Sequence, residues 1–140
     1  SAETAPISMR ADRAMSDSGR ITLEDTEEET RIRLTLRFDR AWASVVKGTE
    51  DADFVIDDRD RSEGLLYVTF VGPQDEEDSG WFDWLWGGED EHPLAGHQYQ
   101  IHLDRAGEEL TLITLRGPDG GAVDRRDQQA LLTILRGNIT

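Results

Sequence analysis

From Arg31 the sequence RIRLTLRF sets Ile32, Leu34, Leu36 and Phe38 against Arg31, Arg33, Thr35 and Arg37 in strict alternation. That period of two predicts a strand with one dry face and one wet one. The period then lengthens. Asp39 is placed to cap a helix over about residues 40–52, in which Trp42, Val45, Val46 and Thr49 share one face. Gly48 is its weak point, at about 1 kcal/mol relative to alanine. Phe54–Asp57 and Leu65–Val71 read as paired strands joined by a charged turn. Tyr99, Ile101 and Leu103 alternate with Gln98, Gln100 and His102, and Glu109–Leu115 follows a turn at residues 105–107. These are two further strands. GPDGG then breaks the chain, Asp124 can cap, and Ala130, Leu131, Ile134 and Leu135 form a stripe that stops at Gly137. The order is strand, helix, four strands, helix, which predicts an α+β domain with an antiparallel sheet and both helices on one face.

Two stretches fall outside this pattern. Residues 1–29 carry few apolar side chains and the acidic run EDTEEE. They read as a flexible acidic linker or tail, with the domain occupying 30–140. Residues 72–96 hold two prolines, five glycines and two acidic runs, around Trp81, Phe82, Trp84, Leu85 and Trp86 packed into six positions. This reads as a long loop carrying an aromatic cluster.

Composition narrows the function. Thirty acidic residues against fifteen basic ones give the 140-residue chain a formal charge of −15. Such a charge repels phosphate backbones and anionic headgroups, so nucleic acid is not an expected partner. The absence of cysteine excludes disulfides, thiolate zinc sites and thiol catalysis. No apolar run reaches the roughly 18 residues of a membrane span, and residues 1–20 lack a signal-peptide core. The chain is expected to be soluble, or a trimmed piece of a longer one.

Candidate chemistry fails in turn. DDRDRSEG offers alternating oxygens at Asp58, Asp60 and Ser62, but a calcium loop of that kind needs glycine at Glu63 and glutamate at Thr69. A polar turn is the better reading, with Arg59 and Arg61 pairing among Asp57, Asp58 and Asp60. His97 and His102 are five apart and so point to opposite faces of a strand, which rules out a shared metal. No serine has a G-x-S-x-G setting and no glycine-rich phosphate loop precedes either helix. No catalytic, cofactor or metal residue is assigned. Trp42 is expected in the core.

Three stretches together, LRFDRAW (36–42), DFVIDDRDRSEGLLYVTF (53–70) and GWFDWLWGG (80–88), resemble the NlpB/BamC lipoprotein family of the outer-membrane β-barrel assembly machinery. The resemblance covers roughly residues 31–135 and looks like the C-terminal of the family's two domains. It implies a helix-grip fold, an antiparallel sheet around a long C-terminal helix. It also implies a non-enzymatic accessory subunit on the periplasmic side of the outer membrane, associated with BamD and BamA and attached only through a lipid anchor. The lipidated cysteine is missing here, so the chain would be a fragment beginning in the linker between domains. Asp53 and Thr49 stand where the family tends to have a helix-ending glycine and an apolar helix residue.

Two functions fit these readings: a protein-interaction module, with Trp81, Phe82, Trp84, Trp86, Arg59 and Arg61 as contact residues, or a carrier of small apolar ligands such as lipid between sheet and C-terminal helix. The flanking acids and the lack of nearby lysine or arginine count against membrane insertion of the aromatic cluster. Deleting residues 81–86 is expected to leave the melting temperature nearly unchanged while weakening capture of the assembly machinery. A large fall in thermal stability would instead assign the aromatics to the core.

Overall fold

A computed structural model describes residues 19–72 and 95–139. Six strands form one sheet: β1 (Ile21–Asp25), β2 (Thr30–Leu34), β3 (Phe54–Asp60), β4 (Leu65–Phe70), β5 (Gln98–Gly107) and β6 (Leu110–Arg116). Their spatial order is β1-β2-β6-β5-β4-β3, and every neighbouring pair is antiparallel. Two helices complete the described fold, α1 (Phe38–Asp51) and α2 (Arg125–Arg136). The α+β expectation holds, although the C-terminal helix, at 12 residues, is shorter than the 14-residue α1.

Alternation gives the sheet one apolar face. Ile21, Ile32, Leu34, Ile113, Leu115, Ile101, Leu103, Leu66, Val68, Phe70 and Phe54 are all buried on it. Both helices cover this face. α1 contributes Phe38, Ala41, Trp42 and Val45, and α2 contributes Leu131, Leu132, Ile134 and Leu135. Trp42 is therefore a core residue, stacked on Phe38 at 6.1 Å between ring centroids.

The first strand corrects the linker reading. Ile21–Asp25 lies inside the stretch assigned to a tail, yet it pairs with β2 over five positions, from Ile21 opposite Leu34 to Asp25 opposite Thr30. Its turn is also tied to α2: the Arg125 guanidinium donates to the carbonyls of Thr26 (2.7 Å) and Glu27 (3.0 Å). The Gln128 side chain accepts the Thr30 N–H at 3.0 Å, and Gln129 donates to the Asp25 carboxylate. Hydrogen bonds from Thr30 and then Gln129 hold the Asp25 carboxyl below its usual range. Only Ile21 and Leu23 mark this strand in sequence, too short a run to set a period.

The helix boundary also moves. Strand β2 stops at Leu34, and α1 begins at Phe38 because Phe38 continues the helical stripe of Ala41, Trp42 and Val45. Arg37, not Asp39, is the N-cap, and it makes no side-chain capping bond. Asp39 lies in the first turn, where a carboxylate meets the positive end of the helix. Thr49 occupies an apolar position by donating its hydroxyl to the Val45 carbonyl at 2.6 Å. Asp53 follows with φ +68°, the left-handed conformation that glycine favours. Gly48 proves to be a crossing point: a Cβ there would lie 3.0 Å from Ile139 Cγ1 and 3.1 Å from the Asn138 carbonyl.

Leu131 and Ile134 are 0% and 2% exposed. Replacing either by aspartate is expected to cost more than about 3 kcal/mol and to abolish the cooperative melt followed by circular dichroism. An unchanged melt would place the α2 stripe outside the core.

Candidate functional site

The DRDRSEG segment is partly strand and partly turn. β3 runs through Asp60, and a single 3-10 turn covers Arg61–Glu63. Asp60 closes it, its Oδ1 accepting from the Ser62 hydroxyl (2.8 Å) and the Glu63 N–H (3.3 Å). Gly64 then takes φ +66°. A Cβ on Gly64 would fall 2.2 Å from the Leu103 carbonyl oxygen, and the Leu103 N–H donates to the Gly64 carbonyl at 2.7 Å. Only glycine allows this strand start to lie against β5.

A bulge in β3 decides where the arginines point. Ile56 pairs with Val68 and Asp58 with Tyr67, so the register shifts between them. One extra residue reverses the side-chain parity beyond it. Arg59 consequently falls opposite buried Leu66, on the helix side of the sheet, and reaches Glu50 of α1 at 3.7 Å. Arg61 reaches Asp39 in the first turn of α1 at 3.9 Å. The expected pairing with Asp57, Asp58 and Asp60 is therefore corrected. Asp57 accepts from the Thr69 hydroxyl, Asp58 from the Arg59 backbone N–H, and Asp60 closes the turn.

The two helical carboxylates stand about 16 Å apart along α1, so the arginines diverge and make an exposed ledge of alternating charge. Their side chains are 51% (Arg59) and 59% (Arg61) exposed, and these pairs add little to stability.

Beyond Asp39 the surface turns inward. The Arg105 guanidinium lies 4.4 Å over the Phe38 ring, joining the β5–β6 hairpin to the start of α1. A cavity of about 540 Å³ opens there, lined by Arg37, Phe38, Asp39, Arg105, Gly107 and Glu109 among others. A second, of about 230 Å³, adjoins it through Arg37 and Glu109 and adds Arg20, Leu36 and Arg40. Sequence reasoning missed Phe38, read as a strand residue, and Arg105, for which no local signal existed.

The remaining candidates separate. Trp81, Phe82, Trp84 and Trp86 lie outside the described residues. His102 contacts Gln100 at 2.9 Å on the helix-free face of the sheet, and burial, with the Arg116 charge beside it, pushes its imidazole down. Among the described residues, no group of three metal-ligating side chains converges, and no helix is long and apolar enough to cross a membrane.

The sequence model of the Outer membrane protein assembly factor BamC-like C-terminal domain matches residues 17–139. The chain belongs to this family. Curated relatives include the outer membrane protein assembly factor BamC of Thiobacillus denitrificans, 32% identical over 102 residues, which are 70% of this chain and 28% of that protein. The BamC of Pseudoalteromonas atlantica is 30% identical over 66% of this chain and 24% of its own length. That of Ferrimonas balearica is 34% identical over 65% and 23% respectively. The chain thus spans about a quarter of the length of the BamC proteins it matches. The family match begins at residue 17 and includes β1, in accord with its place in the sheet.

Two stability measurements separate the frame of this BamC-like site from its decoration. Gly64→Ala is expected to lose about 2 kcal/mol or more, read as a lower urea midpoint, because it combines a strained φ with a backbone overlap. Arg59→Ala and Arg61→Ala are expected to stay within about 0.5 kcal/mol of the parent. A large loss from either arginine would make the ledge part of the fold.

Proposed function

We propose that this BamC-like domain is a non-enzymatic protein-interaction module of the outer-membrane β-barrel assembly machinery. The observation that carries the reading is the family match over nearly the whole chain, with relatives that are themselves named assembly factors. The reading places the full-length protein on the periplasmic side of the outer membrane, held by a lipid anchor. BamD and BamA are its partners, and the domain serves as an accessory scaffold that carries out no reaction.

Surface chemistry supports contact rather than conversion. Arg59 and Arg61 present alternating charge beside Glu50 and Asp39 without being needed for the core, as suits a surface that chooses partners by electrostatic match. Trp81, Phe82, Trp84 and Trp86 supply the large aromatic area that contact surfaces favour. The carrier alternative has less support, because among the described residues the three best-formed cavities lie at the start of α1 and along the sheet and have no α2 residue in their lining.

Purified BamD and BamA, passed separately over the immobilised domain, are expected to show saturable binding to at least one of them. The double variant R59E/R61E is expected to weaken it by about fivefold or more with an unchanged melt. Binding indifferent to that reversal would remove the ledge from the interface, and no binding to either protein would overturn the partner assignment.

A further inference from the structure

We propose that the joined cavities between the start of α1 and the β5–β6 hairpin form a docking pocket for an acidic peptide segment of a partner protein. The proposal rests on the interaction reading above and gives it a second, chemically distinct contact.

The first observation is uncompensated charge. The chain has 30 acidic residues and 15 basic ones, so a local gathering of arginines stands out against the overall charge. Arg31, Arg59, Arg61, Arg116 and Arg125 each have one within 4 Å. Among the described residues, seven arginines do not: Arg33, Arg126 and Arg136, which lie elsewhere, and Arg20, Arg37, Arg40 and Arg105, which all line these cavities. A chain of net charge −15 thus brings four of its unpaired guanidinium groups to one concave place, where they stand among Asp39, Glu108 and Glu109.

The second observation is form. About 540 Å³ lies within the range of pockets that enclose a ligand of a few residues, and the adjoining 230 Å³ shares Arg37 and Glu109 with it. Arg105 is already ordered by its stacking on Phe38. Stacking engages the flat face of a guanidinium, whereas a carboxylate binds at its edge, so both contacts can be made at once. Phe38, Leu36 and Ala106 supply apolar wall for the stems of a bound chain.

The same lining selects against a flat anionic surface. Asp39, already committed to Arg61, and Glu108 and Glu109 stand among the arginines. Together with the overall charge they repel a bilayer rich in anionic lipid. A narrow peptide whose carboxylates are spaced along it can meet the arginines and miss the acids.

The test uses the whole chain, isotope-labelled, titrated with a short peptide of alternating Asp/Glu and Gly/Ser and with its Asn/Gln counterpart. The acidic peptide is expected to shift amide resonances of residues 35–40 and 105–109, to bind more weakly as salt rises, and to outbind its neutral counterpart. R37Q/R105Q is expected to weaken binding by about fivefold or more, and R20Q/R40Q, which spares the Phe38 contact, by a smaller factor. Equal binding of both peptides, shifts elsewhere, or no binding overturns the pocket. So does a parent chain that ignores the peptide but sediments with phosphatidylglycerol vesicles and loses this in R37Q/R105Q. Capture of BamD or BamA by the R37Q/R105Q variant is scored separately. Parent-like capture beside a failed peptide titration removes the pocket alone, whereas loss of capture by the parent chain removes the interaction reading.

Discussion

One face of the sheet is apolar across all six strands, and the need to hide it from water is the constraint that the rest of the molecule obeys. Each fully buried leucine or isoleucine contributes on the order of 1.5–3 kcal/mol, while an exposed ion pair contributes at most about 1. The stripes of α1 and α2 therefore fix where the helices lie, and the charged residues take positions left over. This leaves Arg59, Arg61, Asp39 and Glu50 as exposed charges at the margin of the packed core.

Backbone contacts give that arrangement its precision. Gly64 allows β4 to start directly against the Leu103 carbonyl, and Gly48 allows the chain beyond α2 to cross α1 at close range. In both places a methyl group would separate elements whose side chains are otherwise well matched. The bulge in β3 acts at the same level: one unpaired residue carries Arg59 from the open face of the sheet to the helix side. The placement of Arg59 on the ledge thus follows from a local backbone feature more than from any strong polar interaction.

The two ends of the described chain are joined by polar contacts in addition to the apolar core that Ile21 and Leu131 share. Arg125, Gln128 and Gln129 of α2 satisfy the β1–β2 turn, where the Thr30 N–H and the Thr26 and Glu27 carbonyls would otherwise meet the helix unpaired. A sheet edge formed by a five-residue strand is weak alone, and the helix stabilises it from below.

The sequence by itself determined the α+β class, the strand and helix faces, the core role of Trp42 and the family. Apolar periodicity is a local property of the chain, and the family motif spans consecutive residues. It read β1 as part of a linker because Ile21 and Leu23 are too few to establish a period. It placed the helix start late because Phe38 fits both a strand and a helical stripe. Only the tertiary structure decided which carboxylates Arg59 and Arg61 meet, since a one-residue bulge reverses side-chain direction without any mark in composition. The same is true of Thr30 with Gln128, 98 positions apart, and of Arg105 over Phe38. Contacts between distant segments follow from how the sheet and helices close around the core, and no window of the chain contains both partners.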